Sequence, residues 1–127
     1  MKVKVNKVID EGSKNTVIFA TEYGNAKGTW KGCLPETDKD YYIEFEIPDT
    51  LVWQKDVIAS ERLEDTIGME NDIFYLIGSL ESAEGDGYTV IRLGESIVSL
   101  DIEGNPLQVG TFVKVKADNL FLYDMNY

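Results

Sequence analysis

Two short stretches of this chain are nearly the same. Glu11 to Ile18 reads Glu-Gly-Ser-Lys-Asn-Thr-Val-Ile, and Glu84 to Ile91 reads Glu-Gly-Asp-Gly-Tyr-Thr-Val-Ile, identical at five of eight positions. Each lies between runs in which apolar residues recur at every second position, the period of a strand and not of a helix. A glycine-containing polar corner between two such runs predicts a β-hairpin. A second echo follows in the same order: Tyr42 to Leu51 parallels Val113 to Leu120 through Asp49 and Asp118, then Leu51 and Leu120. Colinear echoes with one shortened loop are what tandem duplication of a five-strand unit leaves. Two unrelated hairpins that reuse the same turn residues would also leave the first of them.

The rest of the chain is read around these corners. Val3 and Val5 alternate with Lys2 and Lys4, so Lys2 to Ile9 is a half-buried strand. Thr16 to Tyr23 carries apolar groups on both faces and belongs in a covered position. Gly24 to Gly28 reads as a loop, followed by a short run from Trp30 to Leu34. In Tyr41 to Ile47, Ile43, Phe45 and Ile47 face inward and Glu44 and Glu46 outward. A lysine-faced first strand beside this glutamate-faced one would gain about 0.2–1 kcal/mol per cross-strand pair. After Leu51-Val52-Trp53 the character changes. Ala59 to Asp72 is acidic and poor in large apolar residues and reads as a linker, with Ser60 suited to cap one helical turn. Short strands then follow at Ile73 to Glu81, Tyr88 to Leu93, Ser96 to Ile102, from Val109 onward, and at Leu120 to Tyr123.

The expected class is all-β, built as one or two small antiparallel barrels of OB-like or SH3-like kind. The expected division is a first β-repeat over 1–58, an acidic linker over 59–72 and a second β-repeat over 73–127, or a fusion of these into one domain. At 127 residues and 43% hydrophobic content the chain can bury a core.

Enzyme readings fail for lack of parts. There is no histidine for general-base work, no phosphate loop and no nucleophile elbow. The single cysteine, Cys33, excludes an internal disulfide and multi-thiolate metal sites. Glu84-Gly85-Asp86-Gly87 offers oxygen ligands without the spacing of a calcium loop. Neither catalysis, metal nor cofactor is expected. No apolar run approaches membrane-spanning length, and the opening Met-Lys-Val-Lys alternates where a signal peptide would be apolar, so the expected location is cytoplasmic.

Charge is the main compositional fact. The net value is −11, and residues 61–127 hold 13 acids against four basic residues, while residues 1–60 hold 10 against eight. Such a surface repels phosphate backbones, which argues against nucleic acid, and speeds encounter with a basic protein. Acidity that serves only solubility is the plainer alternative. The carboxylates placed to meet a basic partner are Glu61, Glu64, Asp65, Glu70 and Asp72 in the linker and Glu81, Glu84 and Asp86 around the second corner. Trp53 and Trp30 are the candidates for partly exposed anchors.

An acidic β-domain of this style resembles the small cytosolic immunity proteins that bacteria pair with toxins. Tyr41 to Ile47, then Trp53, then Gly87 to Gly94 is similar to small bacterial proteins of that setting, over about the middle two-thirds of the chain. The resemblance implies an inhibitor whose carboxylates occupy the basic active site of a toxin or nuclease. The alternative is a small-barrel adaptor or structural module of a larger assembly, which holds its partner through apolar strand edges or Trp53. The oligomeric state stays open.

Overall fold

The computed structural model describes residues 1–125, and among them every regular element is a strand. In chain order these are β1 (Lys2–Asp10), β2 (Asn15–Thr21), β3 (Gly24–Lys31), β4 (Lys39–Glu46), β5 (Leu51–Val52), β6 (Val57–Ala59), β7 (Thr66–Glu70), β8 (Ile73–Ala83), β9 (Tyr88–Leu93), β10 (Ser96–Glu103), β11 (Phe112–Ala117) and β12 (Phe121–Asp124). Both echoed corners are hairpin turns. In the β1–β2 turn the Glu11 N–H donates to the Lys14 carbonyl at 2.9 Å; in the β8–β9 turn the Gly87 N–H donates to the Glu84 carbonyl at 3.1 Å. Gly87 takes a φ of 98°, a conformation that glycine adopts without steric penalty.

Two sheets result. Strands β1, β2, β3, β12 and β4 close into a five-stranded barrel, and the second sheet runs β5-β10-β9-β8-β11-β6, with β7 added to β8. A bridge between Trp53 and Val57, around the turn that joins β5 to β6, brings the second sheet close to closure.

The same scheme of pairing is used twice. β1-β2-β3 and β8-β9-β10 are antiparallel meanders, and β4 pairs with β1 as β11 pairs with β8. In each half the remaining position is filled from the other. β12 lies parallel to β3 and antiparallel to β4, while β5 lies parallel to β10 and β6 antiparallel to β11. The closing strands are exchanged, β5 starting after Asp49-Thr50 in one direction and β12 after Asp118-Asn119-Leu120 in the other. The Asn119 amide donates to the Asp49 carboxylate at 3.0 Å, and Leu51 and Leu120 are both buried. Strand pairing therefore runs across the segments 1–58, 59–72 and 73–127. One apolar cluster extends through both sheets, from Val3, Phe19 and Phe45 to Phe74, Leu100 and Val115.

Even the irregularities recur. The β1/β2 register slips between Val5 and Lys7, and the β8/β9 register between Leu80 and Ser82. Val8 pairs with Val17 and Ala83 with Thr89, so the second turn is the shorter. Val17 and Phe19 then stand where Thr89 and Ile91 stand, and all four are buried. The letters of the echo align Val17 with Val90 instead, which is one residue out of step. In a strand that offset moves a side chain to the opposite face, so the repeat of structure and the echo of sequence are not in register.

Three expectations about elements are corrected. Gly24 to Gly28 is strand and not loop: the β2–β3 turn is confined to Glu22 and Tyr23, with the Thr21 hydroxyl accepting from the Tyr23 N–H at 3.0 Å and donating to the Gly24 carbonyl. Thr66 to Glu70, read as linker, is β7, paired along Ile73–Ile77. At Ser60 there is no helical turn, because its hydroxyl bonds both the N–H and the carbonyl of Arg62. The lysine-faced and glutamate-faced strands are neighbours, but Lys2 pairs with Asp40 at 3.5 Å, while Glu44 and Glu46 lie opposite β12.

Candidate functional site

The acids singled out in the sequence fall into three sets. Glu70, Asp72 and Glu81 are matched within the chain. Glu70 takes both Lys114 and Lys116, Asp72 pairs with Lys27 at 2.9 Å, and Arg92 reaches Glu81 through two nitrogens at 2.7 and 2.9 Å. The hydrogen bond and charge of Lys114, supplemented by Lys116, hold the Glu70 carboxyl below its ordinary value. A carboxyl whose value is lowered by folding adds stability above its unfolded value and loses it as pH falls through the folded one. Glu70→Gln is therefore expected to melt below the parent at pH 7, with the gap closing toward pH 3. A gap that stays constant in melts across this range would remove the ion pair as its cause.

The second set lies in the loop between β6 and β7. Glu61 and Glu64 are exposed, but Asp65 is structural: its carboxylate accepts the Gly94 N–H at 3.0 Å and ties the loop to the β9–β10 turn. With Glu22 and Glu95 it surrounds Tyr23, whose hydroxyl is pushed above its usual value, first by burial and then by these charges and a hydrogen bond to Glu22.

The third set, Glu84 and Asp86, sits at the other end of β9, about 20 Å away along a six-residue strand. The predicted acids therefore do not form one surface. What the fold adds here is β10, whose pairing with β9 and contact with β5 bring Glu103 beside the β8–β9 turn. Glu84, Asp86 and Glu103 line a groove of about 360 Å³ with Thr89, Pro106 and Trp53. Next to it, the Asp101 carboxylate lies so close to Gly87 that a Cβ there would come within 2.7 Å of it. One oxygen of Asp86 accepts the Tyr88 N–H at 3.0 Å and fixes the carboxylate on the turn.

No lysine or arginine lines this groove, and Glu84, Asp86 and Glu103 take part in none of the ion pairs found among the described residues. Two other grooves are mixed: Lys14 and Lys27 accompany Glu11, Asp72 and Asp118 in one, and Lys55 and Lys116 accompany Asp49, Asp56 and Asp118 in the other. The acidic groove is therefore a place of uncompensated negative charge, favourable for a cation and unfavourable for an anion.

Both tryptophans are buried, and neither is the partly exposed anchor expected. Trp53 is 5% exposed and Trp30 3%, the latter with its indole N–H donating to the Cys33 carbonyl at 2.8 Å. Removing a core side chain of this size costs about 3–5 kcal/mol, so Trp53→Ala reports on folding before it reports on binding. Glu103 and Asp101 were missed in the sequence. Glu103-Gly104-Asn105-Pro106 has the composition of a turn, and its approach to the other corner depends on sheet pairing.

Among the described residues no cluster of three or more Cys, Asp or Glu side chains is arranged to hold a metal ion. No helix is long and apolar enough to cross a membrane. In comparisons with protein-family models, curated proteins and solved structures, none matches this chain.

Proposed function

We propose that this chain is a non-enzymatic protein-binding module that receives basic side chains of a partner in the groove between the β8–β9 turn and the end of β10. The role this suits best is that of an immunity-type inhibitor of a basic toxin or nuclease. The observation that carries it is the juxtaposition of Glu84, Asp86 and Glu103 in one groove with no basic side chain lining it. A lysine or arginine entering there lays its alkyl stem along Ala83 and Pro106 while its charged head meets the carboxylates. Close charge pairs of this kind couple by about 1.5–7 kcal/mol at protein interfaces, and the long-range field raises the association rate.

The test is retention of basic proteins from a native lysate on the immobilised chain, compared with a Glu84→Gln, Asp86→Asn, Glu103→Gln triple variant. The parent is expected to hold a basic protein that is released by raising salt from about 0.05 to 0.5 M, a range over which screening shortens from above to below 10 Å. The triple variant is expected to hold at least tenfold less. Equal retention by the variant, or retention indifferent to salt, would set this reading aside.

A further inference from the structure

The two halves differ along one flank. There β7 lies beside β3, its Ile67 N–H donating to the Tyr23 carbonyl at 3.0 Å, and Met69 shares a shallow groove with Asn25, Ala26 and Lys27. Gly24 pairs with Thr21 as Ser96 pairs with Leu93, so Ser96 to Ser99 stand where Gly24 to Lys27 stand, and Glu95 stands where Tyr23 stands. Along Ser96 to Ser99, no strand of the described residues pairs with the outer edge of β10, although β4 comes near it. Beside this edge is a cleft of about 340 Å³, bounded by Ser96–Ser99, Glu95, Glu44, Phe45, Met1 and Met125.

The β10 backbone is suited to fill it. The Ile102 N–H donates toward β9, to the Gly87 carbonyl at 3.0 Å, whereas the Glu103 carbonyl accepts the Trp53 N–H on the opposite side at 2.9 Å. The register is unbroken from Ser96 to Asp101, so alternation turns the N–H and C=O groups of Ile97 and Ser99 away from β9. On that side only Ile102 and Glu103 are joined to a strand, β5. Ile97, 54% exposed, is the most exposed large apolar side chain on the described strands.

We infer that the Ser96–Ser99 edge accepts an extended, basic segment of a partner protein, which adds to β10 as a strand, on the flank where β7 crosses the other half without pairing to β3. Its main chain bonds Ile97 and Ser99, its apolar side chains meet Met1, Phe45 and Met125, and its basic side chains meet Glu44 and Glu95. The Met1 ammonium does not neutralise these acids alone and is already engaged, donating to the Ile43 carbonyl at 2.9 Å. A second copy of this chain is the poorer occupant, since two molecules of charge −11 repel. This surface lies at the opposite end of β10 from the acidic groove, so the two can be tested separately.

The probe is an octapeptide of alternating valine and lysine, titrated into isotopically labelled protein with backbone amides followed by NMR. Shift changes are expected at Ile97, Ser99 and Glu44. Methylating the peptide nitrogens on one edge, which keeps its charge but removes strand donors, is expected to weaken binding at least tenfold. An Ile97→Pro variant should do the same from the protein side. Shifts confined to Glu84–Gly87 and Glu103, or equal affinity for the methylated peptide, would overturn the inference while leaving the groove reading intact. Concentration-dependent shifts of the edge amides without peptide would assign the edge to a second copy and overturn it as well.

Discussion

A chain stopped after Ala117 is expected to lose its cooperative folding, although the four other strands of the first barrel lie within its first 46 residues. β12 is the strand that β3 and β4 share, pairing Leu122 with Trp30 on one side and with Phe45 on the other. Without it both strands become open edges, and the apolar interior they enclose opens to water. Leu122 is fully buried and Leu120 nearly so, and each would cost about 2–5 kcal/mol if cut to alanine. Together with the ladder bonds this approaches the 5–15 kcal/mol that separates a typical folded domain from its unfolded chain. Thermal melts followed by circular dichroism should show a broad, non-cooperative transition for the shortened chain. Leu122→Ala, a milder cut in the same strand, should remain cooperative and melt about 10 °C lower. A shortened chain that melts like the parent would mean that β12 does not close the barrel.

The exchange of strands also explains which features the sequence showed. Alternation made Val3, Val5, Ile43, Phe45 and Ile47 readable as core, because side chains on one face of a strand repeat every second residue whatever the neighbours are. Gly24-Asn25-Ala26-Lys27-Gly28 has no such signal. It is held as strand by β2 and, through the Thr29 N–H, by the Leu120 carbonyl at 2.8 Å, a contact made by the strand returning from the other half. Gly28 is small for the same reason: a Cβ there would come within 2.6 Å of Leu122. Trp53 looked like a surface anchor because the exchange that buries it leaves no local mark. The acids divide in the same way. Glu84 and Asp86 were legible as a charged turn, whereas the pairing of Glu70, Asp72 and Glu81 with Lys114, Lys27 and Arg92 depends on residues brought in from other strands.

Gly24→Ala is the second change expected to have a large effect, and it tests the place where the two sheets clasp. Gly24 has a φ of 140°, outside the range that residues with a Cβ ordinarily adopt, and a Cβ there would come within 1.9 Å of the Ile67 carbonyl oxygen. That oxygen belongs to β7, which β8 holds by its ladder and Tyr23 holds through the Ile67 N–H, so it cannot retreat without breaking pairing. From the other side the Tyr23 hydroxyl packs against Gly94, whose N–H is taken by Asp65. The β2–β3 turn, the β9–β10 turn and β7 thus interlock with no space for a methyl group. Gly12→Ala supplies the reference: Gly12 also has positive φ, at 81°, but nothing stands within 4 Å of its added Cβ. It should lose about 1–2 kcal/mol, the conformational penalty alone. Gly24→Ala should lose about 4 kcal/mol or more in urea unfolding, a size reserved for strain or overpacking at a fixed site. If the two variants unfold at the same denaturant concentration, the clasp yields freely and contributes little to joining the halves. If Gly24→Ala shows two transitions where the parent shows one, the sheets can fold apart, and this contact is what couples them into a single cooperative unit.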